Sequence, residues 1–207
     1  MAKLLYIFIT HKLSYNKFSQ NIHAQMKSKN ITNYIIVVGN ENTHYNEQEN
    51  TLFVKTNDKY EGLPEKIIKT FKFLSESKIF DKYSHFLKLD EDMIILNDIG
   101  KSIYKNINYG GNIQKTEGKR DWHFNKCQKT SCFYNKPYMG KFTPWCKGGY
   151  GYIISRKSVN LIKNDNNYDK HIYEDLYIAL LLKAYGVGPI NIPIKKYIKS
   201  PSHNAYC

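Results

Sequence analysis

The stretch FLKLDEDMIIL, Phe86 to Leu96, sets Asp90, Glu91 and Asp92 inside a run that is otherwise largely apolar. Apolar residues can enter a core, but three consecutive carboxylates cannot follow them there unpaired. The chain must bring this run to a boundary, buried up to Leu89 and open from Asp90. A strand that ends at the rim of a sheet meets that demand. If the chain stays extended, Asp90 and Asp92 turn to one side and Glu91 to the other. At the carboxyl end of a strand they face the crevice where open α/β sheets bind ligands. Two carboxylates side by side repel unless a cation lies between them. Mn2+ or Mg2+, hard ions that take carboxylate and phosphate oxygens, would suit the pair. The plainer alternative is a strand end with solvated acids, or acids that cap, with Asp98 placed to cap a short helix over 99–106.

The rest of the pattern predicts an α/β sheet. Continuous apolar runs at Leu4–Thr10 and Tyr34–Val38 read as buried strands, and Thr51–Lys55 as a third. Phe18, Ile22 and Met26 form one helical stripe between the first two. Gly62-Leu63-Pro64-Glu65 opens a helix whose face is Leu63, Ile67, Phe71 and Leu74, running to about Lys78. Phe86–Leu89 is the next strand. Gly151–Ser155 is a strand after a glycine turn, Ser158–Lys163 a short helix, and Glu174–Tyr185 a buried helix closed by Gly186. Residues 110–147 lack periodicity and hold both tryptophans, so they read as a functional loop.

Composition narrows the classes. Hydrophobic residues make up 42% and aromatics 14%, enough for a core and against disorder. No apolar run nears the roughly 20 residues of a membrane span. LLYIFI is too short for a signal-peptide core, so a cytoplasmic, reducing location is expected, with the cysteines as thiols. The net charge of +13 is either a basic surface for an anionic partner or compositional drift toward Lys, Asn, Ile and Tyr. Only two of the 31 basic residues are Arg, the residue best suited to bidentate phosphate and base contacts, so nucleic acid is not the expected partner.

Four elements together carry a resemblance. The strand with its D-x-D, Asp90 and Asp92, is similar to that of GT-A-fold glycosyltransferases. Upstream, Asp58, Tyr60, Leu63 and Lys66 reproduce the spacing of D-x-Y-x-N-L-x-x-K in the β-1,3-glycosyltransferase family, which contains the Fringe and core-1 galactosyltransferase enzymes; Gly62 stands where that family has Asn. Downstream, GGYGYIISR, Gly148 to Arg156, and YEDLYIALLL, Tyr173 to Leu182, resemble its G-G-x-G turn and its E-D helix start. The order agrees over about residues 50–190.

The resemblance implies a GT-A-like single domain with a central, mostly parallel mixed sheet flanked by helices. About 1–98 would form the nucleotide-sugar-binding half and about 99–207 the acceptor-binding half. It implies a metal-dependent enzyme that moves a sugar from a nucleotide-diphosphate sugar, UDP-linked by preference, to a glycan or other acceptor hydroxyl, with inversion. Asp175 is the implied general base, with Glu174 the alternate. Asp90 and Asp92 are the implied Mn2+ or Mg2+ ligands, and a late His, here His203, would complete the set or simply be exposed. Thr10, His11, Asp58, Lys66, Asp90, Glu91, Gly148 and Gly149 are candidates for the nucleotide sugar. The glycines would allow close backbone approach, or only form a β-turn. Trp122, Trp145 and Tyr150 are candidates for the acceptor. The aromatics of 110–147 either offer sugar platforms or form the loop's own small core. Cys127 and Cys132, near His123 and Cys146, lack the C-x2-C spacing of structural zinc. The chain is short for the family and is expected to belong to a longer multidomain protein. The rival reading is a basic binding module for nucleic acid or an anionic surface on a degenerate glycosyltransferase fold. Paired acids also occur in metal-dependent phosphohydrolases and nucleotidyltransferases.

Overall fold

The computed structural model describes residues 2–201. In chain order, β1 (Leu4–Ile9), α1 (Tyr15–Ser28), β2 (Tyr34–Asn40), β3 (His44–Asn46) and β4 (Thr51–Lys55) come first, then α2 (Leu63–Glu76) and β5 (His85–Asp90). β6 (Ile94–Ile95), α3 (Lys101–Tyr104), β7 (Tyr109–Gly111), β8 (Ile113–Gln114) and β9 (Trp145–Cys146) follow. β10 (Tyr152–Ser155), α4 (Arg156–Ile162), α5 (Glu174–Ala184), β11 (Ile190–Asn191) and β12 (Ile198–Lys199) complete the set.

Eight strands form one sheet in the order β11-β7-β10-β5-β1-β2-β4-β3. β1 pairs parallel with β2 and with β5, and β2 with β4, while β10 runs antiparallel to both β5 and β7. The sheet is thus mixed and parallel at its centre, the α/β architecture the apolar runs predict. Those runs are continuous because both faces of the sheet are covered. Leu5, Ile7 and Ile9 pack with residues of α2, α4 and α5, whereas Leu4, Tyr6 and Phe8 pack with α1 and the region around α3. The period of two in one strand therefore feeds two separate cores.

The helix ends follow local chemistry. Pro64 lies in the first turn of α2, where its missing N–H costs nothing. α5 closes on Gly186 at φ +73°, with Gly186 N–H bonded to Lys183 O and Val187 N–H to Leu182 O, both at 3.0 Å, the Schellman pattern. Three expectations are corrected. β5 stops at Asp90, and Met93 N–H bonds back to Asp90 O at 3.2 Å, so Asp92 sits in a turn and not on an extended strand. Asp98 caps no helix: α3 begins at Lys101, and Asp98 accepts the Tyr6 hydroxyl at 2.5 Å. Residues 110–147 are also less irregular than their sequence implies, since β8 and β9 pair within them.

Candidate active site

Chain order places the crevice. From β1 the chain builds outward through β2 and β4, then returns to add β5 on the other side of β1. Such a reversal opens a gap beyond the carboxyl ends of the two central strands. Ile9 pairs with Asp90, so Thr10 and Glu91, the next residues, emerge side by side there. Thr10 Oγ1 and Ser14 Oγ both donate to Glu91 Oε2, and His11 Nε2 lies 4.0 Å from Glu91 Oε1. Glu91, turned away from the crevice in an extended reading, is drawn into it because the chain turns after Asp90.

Asp58 and Lys66 form a strut behind this gap. The Asp58 carboxylate accepts Gly39 N–H at 2.9 Å and Lys12 N–H at 2.6 Å, and takes an ion pair from Lys66. Lys66 is buried and also donates to Thr10 O at 3.0 Å. One ion pair therefore ties the exits of β1 and β2 to α2. Burial pulls the Lys66 ammonium below the usual lysine range, opposed by the Asp58 charge. Gly62 is required by the same loop: a Cβ there would fall 1.8 Å from Asn57 O.

β10 is antiparallel, so its first residue sits at the carboxyl end of β5, with Tyr152 opposite Lys88. The glycine turn before it is carried to the crevice. Gly151 has φ +75°, and a Cβ on it would lie 2.7 Å from Leu89 Cδ2 and 2.9 Å from Lys88 O. Glycine meets both demands at once. Gly148 and Gly149 form a short 3-10 turn beside α5.

At the start of α5, Asp175 Oδ2 accepts Gly148 N–H and Oδ1 accepts Leu176 N–H, both at 2.8 Å. Glu174 is buried and accepts the Tyr152 hydroxyl. Between these acids and the D-x-D stands Lys88, its side chain 2% exposed, with Nζ 2.6 Å from Asp90 Oδ1 and 3.4 Å from Glu174 Oε2. Burial raises both the Glu174 and Asp175 carboxyls above the usual range, and Lys88 works against that rise in each. The Asp90 and Glu174 carboxylates in turn hold Lys88 above the ordinary lysine value despite its burial. Acids from two distant motifs thus converge on one cation. Neither Lys88 nor Tyr152 was singled out from the sequence; the available signal was a lysine within an apolar strand.

Asp90, with a side chain 40% exposed, is the acid that reaches the opening. Among the described residues no group of three or more His, Cys, Asp or Glu is placed to hold a metal. His203 lies outside the described residues.

The aromatic candidates divide. Trp122 is 52% exposed, with Lys126 Nζ 4.2 Å from its ring centroid. Trp145 is 8% exposed and packs 5.6 Å from Phe142, which meets Tyr138 at 5.6 Å. Tyr150 is half-buried under Lys195, 4.4 Å from its ring. The buried side chains of 110–147, Cys127, Tyr138, Trp145 and Cys146, join the main core shared with α2, α4 and α5 instead of forming one of their own, and the buried His123 ring bonds the Tyr173 hydroxyl at 2.9 Å and Lys136 O at 2.9 Å. Cys127, Cys132 and Cys146 are free. Among the described residues no helix is long and apolar enough to cross a membrane.

The family model for galactosyltransferase matches residues 25–193. No curated protein matches. Among solved structures, a Bacillus anthracis protein described as a glucose-1-phosphate thymidylyltransferase is similar at 13% identity and a TM-score of 0.48, over 91% of this chain and 87% of that one. The STIV protein A197 is similar at 13% identity and a TM-score of 0.45, over 92% of this chain and 81% of that one. The matched span takes in the strand acids, the glycine turn and the helix acids that the fold gathers at one crevice, and the chain belongs to the galactosyltransferase family, a family of glycosyltransferases.

Proposed function

We infer that the protein transfers a sugar from a nucleotide-diphosphate sugar, a UDP-sugar first among them, to an acceptor hydroxyl, with a divalent metal and with inversion. The observation that carries this reading is the convergence of Asp90 and Glu174 on Lys88, with Asp175 bonded to the adjoining glycine turn, at the switch point of the sheet.

The donor set suits Mn2+ or Mg2+. Asp90 carries a carboxylate to the opening and Asp92, in the turn just after it, would supply a second; such ions take one or two carboxylates and fill the remaining positions from substrate phosphates and water. When bound, the metal would offset the charge of the diphosphate leaving group. The first half of the chain would hold the nucleotide at Thr10, His11 and Glu91, with Asp58 and Lys66 fixing the floor. Gly148 and Gly149 would let the donor approach the backbone. Asp175 would take the proton from the acceptor hydroxyl. Its burial supports that role, because a carboxyl raised toward working pH is the stronger base. Exposed Trp122 and half-buried Tyr150 would offer ring faces to the acceptor.

The test is transfer and hydrolysis across a panel of nucleotide sugars, with Mn2+ and with EDTA, on wild type and Asp92→Ala. Metal-dependent turnover lost in a folded Asp92→Ala variant is the expected result. Full activity in EDTA would end the metal assignment. Salt-sensitive stabilisation by DNA, with no effect of any nucleotide, would favour the basic binding module instead.

A further inference from the structure

We propose that Lys88 is a positioning residue for the metal side of the site, holding one oxygen of Asp90 so that a cation is offered the other, with Glu174 setting how firmly Lys88 holds. This rests on the assignment of Asp90 as a metal-side acid. Lys88 lies on the central strand β5, where neighbours on either side of it in sequence, Leu87 and Leu89, are fully buried. A buried ammonium in such a place must be met by acceptors. It is met by Asp90 Oδ1 at 2.6 Å and by Glu174 Oε2 at 3.4 Å. Glu174, its side chain 3% exposed, is fixed in turn by the Tyr152 hydroxyl, and Tyr152 is the residue opposite Lys88 in the sheet. The chain Asp90–Lys88–Glu174–Tyr152 joins β5, α5 and β10.

The two acids share one cation unequally. The shorter contact goes to Asp90, the acid at the opening, and the longer to the enclosed Glu174. An incoming divalent ion competes with Lys88 for Asp90, and solvent at the 40% exposed Asp90 side chain moderates that competition. Weakening the Glu174 side leaves more of the Lys88 charge for Asp90. Removing Lys88 leaves Asp90 to the metal alone.

The two changes therefore shift metal affinity in opposite directions. The experiment is isothermal titration of Mn2+ into the full chain, with and without UDP, for wild type, Lys88→Met and Glu174→Gln, each checked by circular dichroism. Lys88→Met should bind Mn2+ about tenfold tighter, the scale of removing one nearby charge at a protein rim. Glu174→Gln should bind about threefold weaker by the same reasoning. Turnover should fall in both. Folded variants with unchanged Mn2+ affinity, or with shifts of the same sign, overturn the proposal. If Lys88→Met does not fold, the double variant Lys88→Met/Glu174→Gln removes the buried pair together, and it should bind Mn2+ more tightly than wild type; equal or weaker binding counts against the proposal. A wild type that binds no Mn2+ sinks both this inference and the metal reading beneath it. Wild-type binding that Asp92→Ala abolishes, with no movement across the Lys88 series, sinks this inference alone.

Discussion

Gly148 donates its backbone N–H to Asp175 Oδ2 at 2.8 Å, so one bond holds the glycine turn against the first turn of α5. A Cβ on Gly148 would lie 3.2 Å from Asp175 Cβ, so the turn and the helix start are in close contact there. Asp175→Asn keeps one acceptor oxygen and the shape of the side chain. Turnover should fall by about 10²–10⁴-fold, the usual contribution of a general base, with the fold retained and a modest loss of stability from the one backbone N–H left without its acceptor. Near-native turnover would remove Asp175 from the chemistry.

The acid limb of kcat/KM should lie above the usual aspartate range, because burial raises the Asp175 carboxyl. Activity should rise with pH through that raised value. The stability effect has the opposite sign. An acid whose folded pKa is raised keeps its proton longer in the folded chain, so Glu174 and Asp175 favour folding at low pH. Their contribution should decline as pH climbs from about the ordinary carboxyl value toward the raised ones. Urea titrations across that window should show a flatter pH dependence for Asp175→Asn than for wild type.

Asp58→Ala should destabilise the fold strongly. It strands the buried Lys66 ammonium and leaves Gly39 N–H and Lys12 N–H without their acceptor. The expected loss is about 3–5 kcal/mol in urea unfolding. Asp58→Asn/Lys66→Met should recover much of it, because the stranded charge is gone. An Asp58→Ala loss below about 1 kcal/mol, the scale of a surface pair, would show that the strut bears no load.

Gly62→Asn restores the residue of the family pattern and should still harm this chain. The new Cβ meets Asn57 O at 1.8 Å, a contact that only a shift of the 57–62 backbone can relieve. A loss of about 1–3 kcal/mol is expected from such overpacking. A neutral or stabilising effect would mean that this loop readily adopts another path.

Gly151→Ala combines a left-handed backbone, φ +75°, with a clash against Leu89 and Lys88 O. Strain and crowding together should cost about 2–4 kcal/mol, read as a lowered denaturant midpoint. Gly186→Ala makes the comparison, since its φ is +73° but no atom lies within 4 Å of the added Cβ. It should lose only about 1 kcal/mol, the left-handed strain by itself.

The sequence by itself determined the elements. β1, β2, β5 and β10 are largely apolar runs buried on both faces, α2 declares itself by its buried stripe and Pro64, and α5 by being apolar nearly all round and closed by Gly186. These are local signals, carried by neighbours a few residues apart. It also supplied the acids of the crevice, because a triple charge within FLKLDEDMIIL has to surface where a strand ends. What only the tertiary structure decided is which groups meet. The antiparallel setting of β10 puts Tyr152 beside Lys88, and α5 then brings Glu174 within 3.4 Å of the same ammonium, although it stands far along the chain. The turn after Asp90 sends Glu91 to Thr10 and Ser14 and takes Asp92 off the extended line that its spacing implied. Residue type states what charge a position carries, but the partner of a buried charge is chosen by packing, since its neutralisation depends on distances of a few ångströms that no local pattern encodes.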